Sequence, residues 1–249
     1  AKYPGRFSYR AHYQLSQIEL KRRPPQVDRA LEILARNIKQ LHDLKQTSDD
    51  EALEKSLFAL GDLLYRRFDY QTAQKHLEEA ISRFPDSPQA LHGRFELAEC
   101  SRNLAAQLNE LIRSTTSAQA RQHYEKQQRD WLMRAAEQYA LLVKALSGSA
   151  VTTLSEQEQV QALFNVAECR FNLGEYDVAL GLYDGLAERF KGRAEQLNAL
   201  GGSVRCYAAQ GKANKLQKSL QEIRIVLKDM DEETRHRWEE WLKLASRQP

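Results

Sequence analysis

The sequence predicts an all-α fold, a right-handed solenoid of about five helix pairs closed by a C-terminal capping helix. Three observations support this prediction. Apolar residues recur with a period near 3.6 along most of the chain, which is typical of amphipathic helices. Glycine and proline number 11 and 6 among 249 residues, too few for the many tight turns of a β protein. Helix–turn–helix segments of similar pattern also recur at fixed spacing, which indicates a repeat architecture.

Small residues mark the repeat. They stand near the middle of the helices, where two packed helices need one point of close backbone approach. In three units the matching positions of the first and second helix are 12 apart, at Gly61 and Ala73, at Ala167 and Ala179, and at Val204 and Leu216. In the third unit the separation from Ala98 to Ala135 is 37, so an insertion of 25 residues lies inside that unit.

The elements follow from this spacing. Helices are predicted at 6–22, 26–46, 49–66, 70–84, 88–113, 117–146, 155–173, 176–190, 193–210, 213–228 and 231–246. They form one domain over residues 1–249, in units of about 6–46, 49–87, 88–146, 155–191 and 193–228 with a cap at 231–246. Ser48 or Asp49, Thr116 and Asp231 are the predicted N-caps, and Thr116 with Gln119 fits a capping box.

Residues 54–87 carry the clearest unit, and residues 160–193 repeat most of its pattern. The defining positions of the unit at 54–87 are Leu57, Leu60, Gly61, Leu64, Ala73, Leu77, Ala80 and Pro85. This pattern resembles the tetratricopeptide repeat (TPR), which implies a solenoid that mediates protein–protein interaction. The short segments 70–73, 84–88 and 97–100 resemble a bacterial subclass of outer-membrane-assembly lipoproteins and Tol–Pal-associated periplasmic proteins. That resemblance implies a periplasmic or cell-envelope location, with the cytoplasm as the alternative.

One face of the first helices is the candidate binding groove. Its residues follow an i, i+4, i+7 spacing, and in the TPR fold this stripe lines the concave surface. The predicted groove residues are Tyr13, Phe58, Asp62, Tyr65, Phe95, Glu99, Arg102, Phe164, Glu168, Phe171 and Arg205. The aromatic rings would contact an extended or helical peptide, and the carboxylates would pair with its cations. The alternative is that the rings pack against neighbouring helices and the acids are solvated.

A subset of the TPR family holds acidic C-terminal peptide tails with a clamp of lysine, asparagine and arginine. Phe58 stands here where that resemblance expects lysine, and Asp62 stands where it expects asparagine. The third and fourth units repeat this substitution. An acidic tail is therefore a disfavoured ligand, because it would approach like charges.

The insertion predicts a lengthened helical hairpin. Residues 104–113 and 118–131 have helix-forming composition and flank the polar run 114–117. The hairpin would project about 12 residues, roughly 18 Å, beyond its neighbours. Leu104, Leu108, Leu111, Tyr124 and Trp131 would pack its two helices together. The candidate partner contacts are Leu108, Arg113, Arg121 and Tyr124. The alternative is that the extension packs on the adjacent unit.

The cysteines and the last helix have structural explanations. Cys100, Cys169 and Cys206 occupy the same place in three first helices, without CxxC spacing, so core packing is expected rather than a disulfide or zinc site. Trp238 and Trp241 lie on an amphipathic final segment that would close the core, as the end of a solenoid requires. The alternative is a dimer contact through these two rings.

Composition excludes several function classes. The net charge of +3 is too balanced to indicate nucleic-acid binding. Residues 1–46 carry a local +6, which could face phosphate or an acidic partner or could be solvated. No run of 18 apolar residues occurs, so direct membrane insertion is not expected. No His–His pair at i, i+4, phosphate loop or nucleophile motif is present, so no catalytic residue, cofactor or metal site is predicted.

The predicted function is a non-catalytic scaffold that binds a protein or peptide partner through the groove, the hairpin or both. A monomer or weak homo-oligomer is expected. The alternative is a structural or oligomerisation module of a larger protein. Residues 1–5 lack an initiator methionine and a signal-peptide pattern, so we expect the sequence to begin within a longer protein.

Overall fold

A computed structural model describes residues 6–43, 50–148 and 152–245, and within these ranges the regular structure is entirely helical. The helices are α1 (Arg6–Lys21), α2 (Val27–Asp43), α3 (Asp50–Arg66), α4 (Tyr70–Arg83), α5 (Ala90–Ser114), α6 (Ala118–Gly148), α7 (Glu156–Asn172), α8 (Tyr176–Arg189), α9 (Ala194–Ala209), α10 (Ala213–Val226) and α11 (Glu232–Ala245). A short 3-10 helix, Leu227–Asp229, precedes α11. The predicted all-α repeat fold is confirmed, and the described helix ends lie within three residues of the predicted bounds.

The chain divides into two compact units between Glu156 and Gln157. In unit 1, consecutive helices from α1 through α6 pack against one another, and the first helix α3 also contacts the first helices α1 and α5. The single domain over 1–249 stays a prediction, as do the N-cap at residues 48–49 and the end of the first unit at 44–46, which lie outside the described residues.

A polar brace ties the first three helices of unit 1. The buried Asn37 amide on α2 donates to the Tyr9 carbonyl on α1 and to Ser56 Oγ on α3, at 3.0 Å each. The core of unit 1 includes Leu34, Leu57 and Leu77, all fully buried. Because the Asn37 amide nitrogen donates to both neighbouring helices, these two hydrogen bonds help to fix the relative position of α1, α2 and α3.

Small residues allow the close helix approaches that the repeat predicts. A Cβ atom placed on Gly61 of α3 would lie 2.6 Å from a Leu77 methyl group of α4, and one on Gly93 would lie 2.7 Å from the Phe58 ring. Neither position has room for a larger side chain without a shift of its neighbour.

Unit 2 comprises α7 to α11 around its own core, with Leu197, Leu220 and Ile223 fully buried. Trp238 of α11 is 7% exposed and its ring lies 2.9 Å from the position of a Cβ on Gly201. Its burial favours the capping interpretation of the last helix over a dimer contact through this ring. Asp231 caps α11 as predicted, accepting from the Thr234 amide at 2.9 Å.

Replacing Gly202 of α9 with alanine is expected to lower the free energy of unfolding by about 1–3 kcal/mol. The new Cβ would lie 2.5 Å from the ring of Tyr183, which is 2% exposed and held by hydrogen bonds through its hydroxyl. Gly181→Ala is the matched control, because no atom lies within 4 Å of its new Cβ on an exposed part of α8. Alanine should there add about 0.5–1 kcal/mol through helix propensity. Equal effects in urea denaturation would contradict the packing argument.

The lengthened hairpin is confirmed. Helices α5 and α6 have 25 and 31 residues, against 17 and 14 in α3 and α4. The N-cap of α6 is Ser117, whose Oγ accepts from the Ala120 amide at 3.3 Å, so the predicted cap at Thr116 is wrong by one residue. The predicted packing role of Leu111 is also wrong, because this side chain is 45% exposed. The geometry of the turn decides which residue caps α6, and the phase of α5 decides the exposure of Leu111. The type of residue decides neither.

The three cysteines lie in the core, as predicted from their common repeat position. Cys100, Cys169 and Cys206 are each 0% exposed and none forms a disulfide. Burial raises the pKa of the Cys206 thiol to about 11 and raises that of Cys100 further.

Among the described residues, no helix combines the length and the apolar character needed to cross a bilayer.

Candidate functional site

A cavity of about 330 Å³ opens in unit 1 on the predicted groove face, and we call it the unit 1 cavity. It is lined by residues of α1, α3 and α5 together with two residues outside these helices, Gln89 and Thr153. The lining is Tyr13, Gln17, Leu20, Phe58, Ala59, Asp62, Leu63, Arg66, Gln89, His92, Gly93, Glu96 and Thr153. Of the predicted groove residues, the structure therefore brings Tyr13, Phe58 and Asp62 together here.

Helical spacing explains the lining. Tyr13, Gln17 and Leu20 lie on one face of α1, as the i, i+4, i+7 pattern requires. On α5 the cavity face carries His92 and Glu96, three positions earlier than the Phe95 and Glu99 that were predicted. The prediction placed the groove residues of α5 from the repeat register alone. Because of the way α5 packs against α3, a different part of this helix lines the cavity.

The cavity has an acidic end. His92 Nε2 lies 3.3 Å from Glu96 Oε1, and Arg66 Nε lies 2.6 Å from Asp62 Oδ1. Glu96 is 3% exposed. Burial, together with the hydrogen bond and charge of Asp62, raises the pKa of Glu96 to about 7, while His92 opposes this shift. Leu20, Phe58 and Leu63 supply an apolar part of the remaining wall.

The aromatic residues that head the predicted stripes mostly belong to the core. Phe58 and Phe95 are 4% and 6% exposed. Phe164, in unit 2, is half-buried and stacks on Phe190 with ring centroids 6.1 Å apart. Tyr65 is half-buried beside Tyr70, and burial raises its pKa to about 12. These positions favour the packing interpretation for Phe95, whereas Phe58 reaches both the core and the cavity.

Glu99 already has partners within unit 1. Its carboxylate is 2% exposed, accepts from Arg102 Nη2 at 2.6 Å and also accepts from the Tyr139 hydroxyl. The three residues therefore link α5 to α6 through a charge-assisted cluster in which Glu99 and Tyr139 are buried and Arg102 is half-buried. A ligand cation would have to displace Arg102 to reach this acid.

Unit 2 repeats the same chemistry. Glu168 of α7 accepts from the Tyr183 hydroxyl at 2.9 Å and from both terminal nitrogens of Arg205, at 3.1 and 2.5 Å. The Arg205 guanidinium also lies over the Phe171 ring, 4.8 Å from its centroid. Burial and the charge of Glu168 raise the pKa of Tyr183 well above its usual range. Glu168, Tyr183 and Arg205 thus form an internal brace between α7, α8 and α9.

Sequence reasoning missed four of these residues, and a signal for most of them was present. Tyr139 and Tyr183 each follow the small alanine of their second helix by four residues, so the repeat register could have found them. His92 and Glu96 have the i, i+4 spacing that puts two side chains on one helix face. The proximity of Asp62 to this pair depends on helix packing and is not visible in the sequence.

The structure places the four predicted hairpin residues on α5 and α6. Arg113 and Arg121 are exposed on the two sides of the turn, and Arg121 donates to the Thr115 carbonyl at 3.1 Å. Leu108 and Tyr124 are half-buried, and the role of all four residues in partner contact stays a prediction.

Comparison with known proteins supports the class. The family model of the tetratricopeptide repeat matches residues 55–87 and 161–192, the two segments with the clearest repeat pattern. The chain is therefore a helical-repeat protein in which two segments match the tetratricopeptide repeat. No catalytic family is indicated. The bacterial envelope subclass stays a prediction.

Two solved structures are similar. A kinesin-light-chain-like protein of Podospora anserina with nearly identical TPR-like repeats matches with a TM-score of 0.50 and 14% identity, over 90% of this chain and 96% of that one. A Rap protein complexed with competence and sporulation factor matches with a TM-score of 0.39 and 14% identity, over 89% of this chain and 54% of that one. At this identity the likeness bears on the fold alone. A search of curated proteins finds no significant match.

Proposed function

We propose that this chain is a non-catalytic interaction scaffold that binds a protein partner through the hairpin of α5 and α6. The observation that carries this proposal is the burial pattern of residues 106–131, which we call the arm. The last buried side chain of α5 is Ala105 and the first of α6 is Leu132. The arm therefore adds about 26 residues of helix and turn that contribute no fully buried side chain to either unit.

Internal contacts keep the arm in shape. Gln128 of α6 donates to the Ala105 carbonyl at 3.2 Å and to Asn109 Oδ1 at 2.7 Å, both on α5. A helix pair of this length is marginal in water without a packed face, so its retention indicates a role outside the core. Packing of the extension on an adjacent unit, the alternative, would bury side chains that are exposed or half-buried here.

The tip of the arm combines an exposed apolar side chain with two exposed arginines. Leu111 is 45% exposed, and Arg113 and Arg121 flank the turn. Arginine and apolar contacts of this kind are enriched at protein interfaces. The unit 1 cavity is the second candidate surface, since its apolar wall beside Tyr13 could hold a side chain of an extended peptide.

Photo-crosslinking from single positions would test the proposal. A photoreactive residue at position 113 or 121 is expected to capture a discrete partner from lysate of the source organism. The matched control carries the same residue in place of Lys75, which is exposed on α4. Identical products from all three positions would contradict the proposal, as would an absence of products at 113 and 121.

Two variants then separate the surfaces. Arg113→Glu should abolish capture by the residue at 121, whereas Tyr13→Ala should leave it unchanged. The reverse result would move recognition to the unit 1 cavity. Capture of a second copy of this chain, with self-association in sedimentation, would favour the structural or oligomerisation module instead.

A further inference from the structure

We infer that Asp62, His92 and Glu96 at the acidic end of the unit 1 cavity form a binding site for a divalent metal ion of the zinc class. One donor atom from each residue lies within 4.8 Å of the other two. The His92 Nε2 to Glu96 Oε1 distance is 3.3 Å. Two ligands bound tetrahedrally at about 2.1 Å from zinc are about 3.4 Å apart, so this pair already has the spacing that an ion needs.

The backbone holds the three donors in place. His92 and Glu96 are four residues apart within the 25-residue helix α5, so both side chains project from one face. Asp62 reaches the same point from α3, which packs directly against α5. No loop therefore has to become ordered for an ion to bind, and the ion would link the two neighbouring first helices α3 and α5.

The donor set selects the class of ion. One imidazole nitrogen and two carboxylate oxygens are typical of zinc and similar first-row ions. Calcium and magnesium favour sites made of oxygen atoms alone. The three cysteines of the chain are fully buried away from solvent, so they do not compete for the ion in the folded protein.

Charge and access also favour an ion. The Glu96 side chain is 4% exposed, and a buried carboxylate beside a second carboxylate is costly without a compensating cation. Arg66, which lies 2.6 Å from Asp62 Oδ1, would remain as an outer partner that orients this ligand. The cavity of about 330 Å³ leaves room for a fourth ligand, such as water or a group of a bound peptide. The inference does not depend on partner binding by the arm.

The test uses the full chain without an affinity tag, stripped of metal by a chelator and titrated with zinc by calorimetry. Cobalt provides a second probe, because its visible absorption reports tetrahedral coordination. One ion is expected per chain, with a rise in the unfolding temperature. His92→Ala and Asp62→Asn should each weaken binding by more than about tenfold, since even loss of an outer partner costs about 10- to 100-fold.

The chain contains a matched control. His236 and Glu240 have the same i, i+4 spacing, with Nε2 3.7 Å from Oε1, but their side chains are 76% and 66% exposed. His236→Ala should leave zinc affinity and the cobalt spectrum unchanged. Circular dichroism in chelator should show that His92→Ala is folded, and His92→Gln provides a second variant if it is not. Binding that survives His92→Ala, binding lost equally in His236→Ala, or no binding by the wild-type chain would overturn the inference.

Discussion

Replacing Phe95 with alanine is expected to lower the free energy of unfolding by about 3–5 kcal/mol. The ring is 6% exposed on α5, a helix that packs against α3, α4 and α6. Its removal would lose the burial of an aromatic side chain and leave a cavity that rigid neighbouring helices could only partly close. Chemical denaturation followed by far-ultraviolet circular dichroism would measure the change.

Phe7→Ala is the control for this experiment, because Phe7 is 80% exposed on α1. Its replacement should change stability by less than about 0.5 kcal/mol. A loss below about 1 kcal/mol at Phe95 would show that the core does not need this ring. The residue would then return to the set of candidate partner contacts.

Replacing Arg102 with methionine is expected to cost about 3–5 kcal/mol, because it removes the guanidinium that pairs with the buried Glu99 carboxylate. Glu99 is 2% exposed, and its hydrogen bond from the Tyr139 hydroxyl would remain. The double variant Arg102→Met with Glu99→Gln should recover much of this loss, since no charge then remains to be compensated. Denaturation of the two single variants and the double variant would measure the coupling.

Arg83→Met serves as the matched control for the ion pair. Arg83 Nε lies 2.8 Å from Glu79 Oε1 in an i, i+4 pair whose side chains are 51% and 25% exposed. Its loss should cost less than about 1 kcal/mol, as is usual for solvent-exposed pairs. Similar costs for Arg83→Met and Arg102→Met would contradict a special role for the buried cluster.

The helices of this chain could be predicted from its sequence because each repeat combines two independent signals. Ala73, Leu77 and Ala80 show both the apolar period of a helix and the small residues of a close contact, and all three are fully buried. The cap of α6 could not be placed to the residue, because Thr116 and Ser117 are both good caps and the turn geometry chooses between them.

The candidate site was less accessible to sequence reasoning. Asp62, Glu99 and Glu168 occupy the same position in their repeats, which the sequence shows. Whether each carboxylate is accessible to a ligand depends on the side chains of the second helices. Tyr139 and Tyr183 reach Glu99 and Glu168 from those helices, and Asp62 has no such partner among the contacts described above. The proximity of Asp62 to His92 and Glu96 likewise depends on how α3 packs against α5.

The burial of the cysteine thiols should control the rate at which they react with a thiol reagent. A thiol reagent attacks the thiolate, which is scarce at neutral pH when burial raises the pKa of a cysteine, as it does for Cys100 and Cys206. The native protein should therefore react only during transient opening. Cys100 lies in unit 1, and Cys169 and Cys206 lie in unit 2. Each unit thus contains at least one buried cysteine of its own. The rates at which these cysteines are labelled would measure the opening of unit 1 and of unit 2 separately.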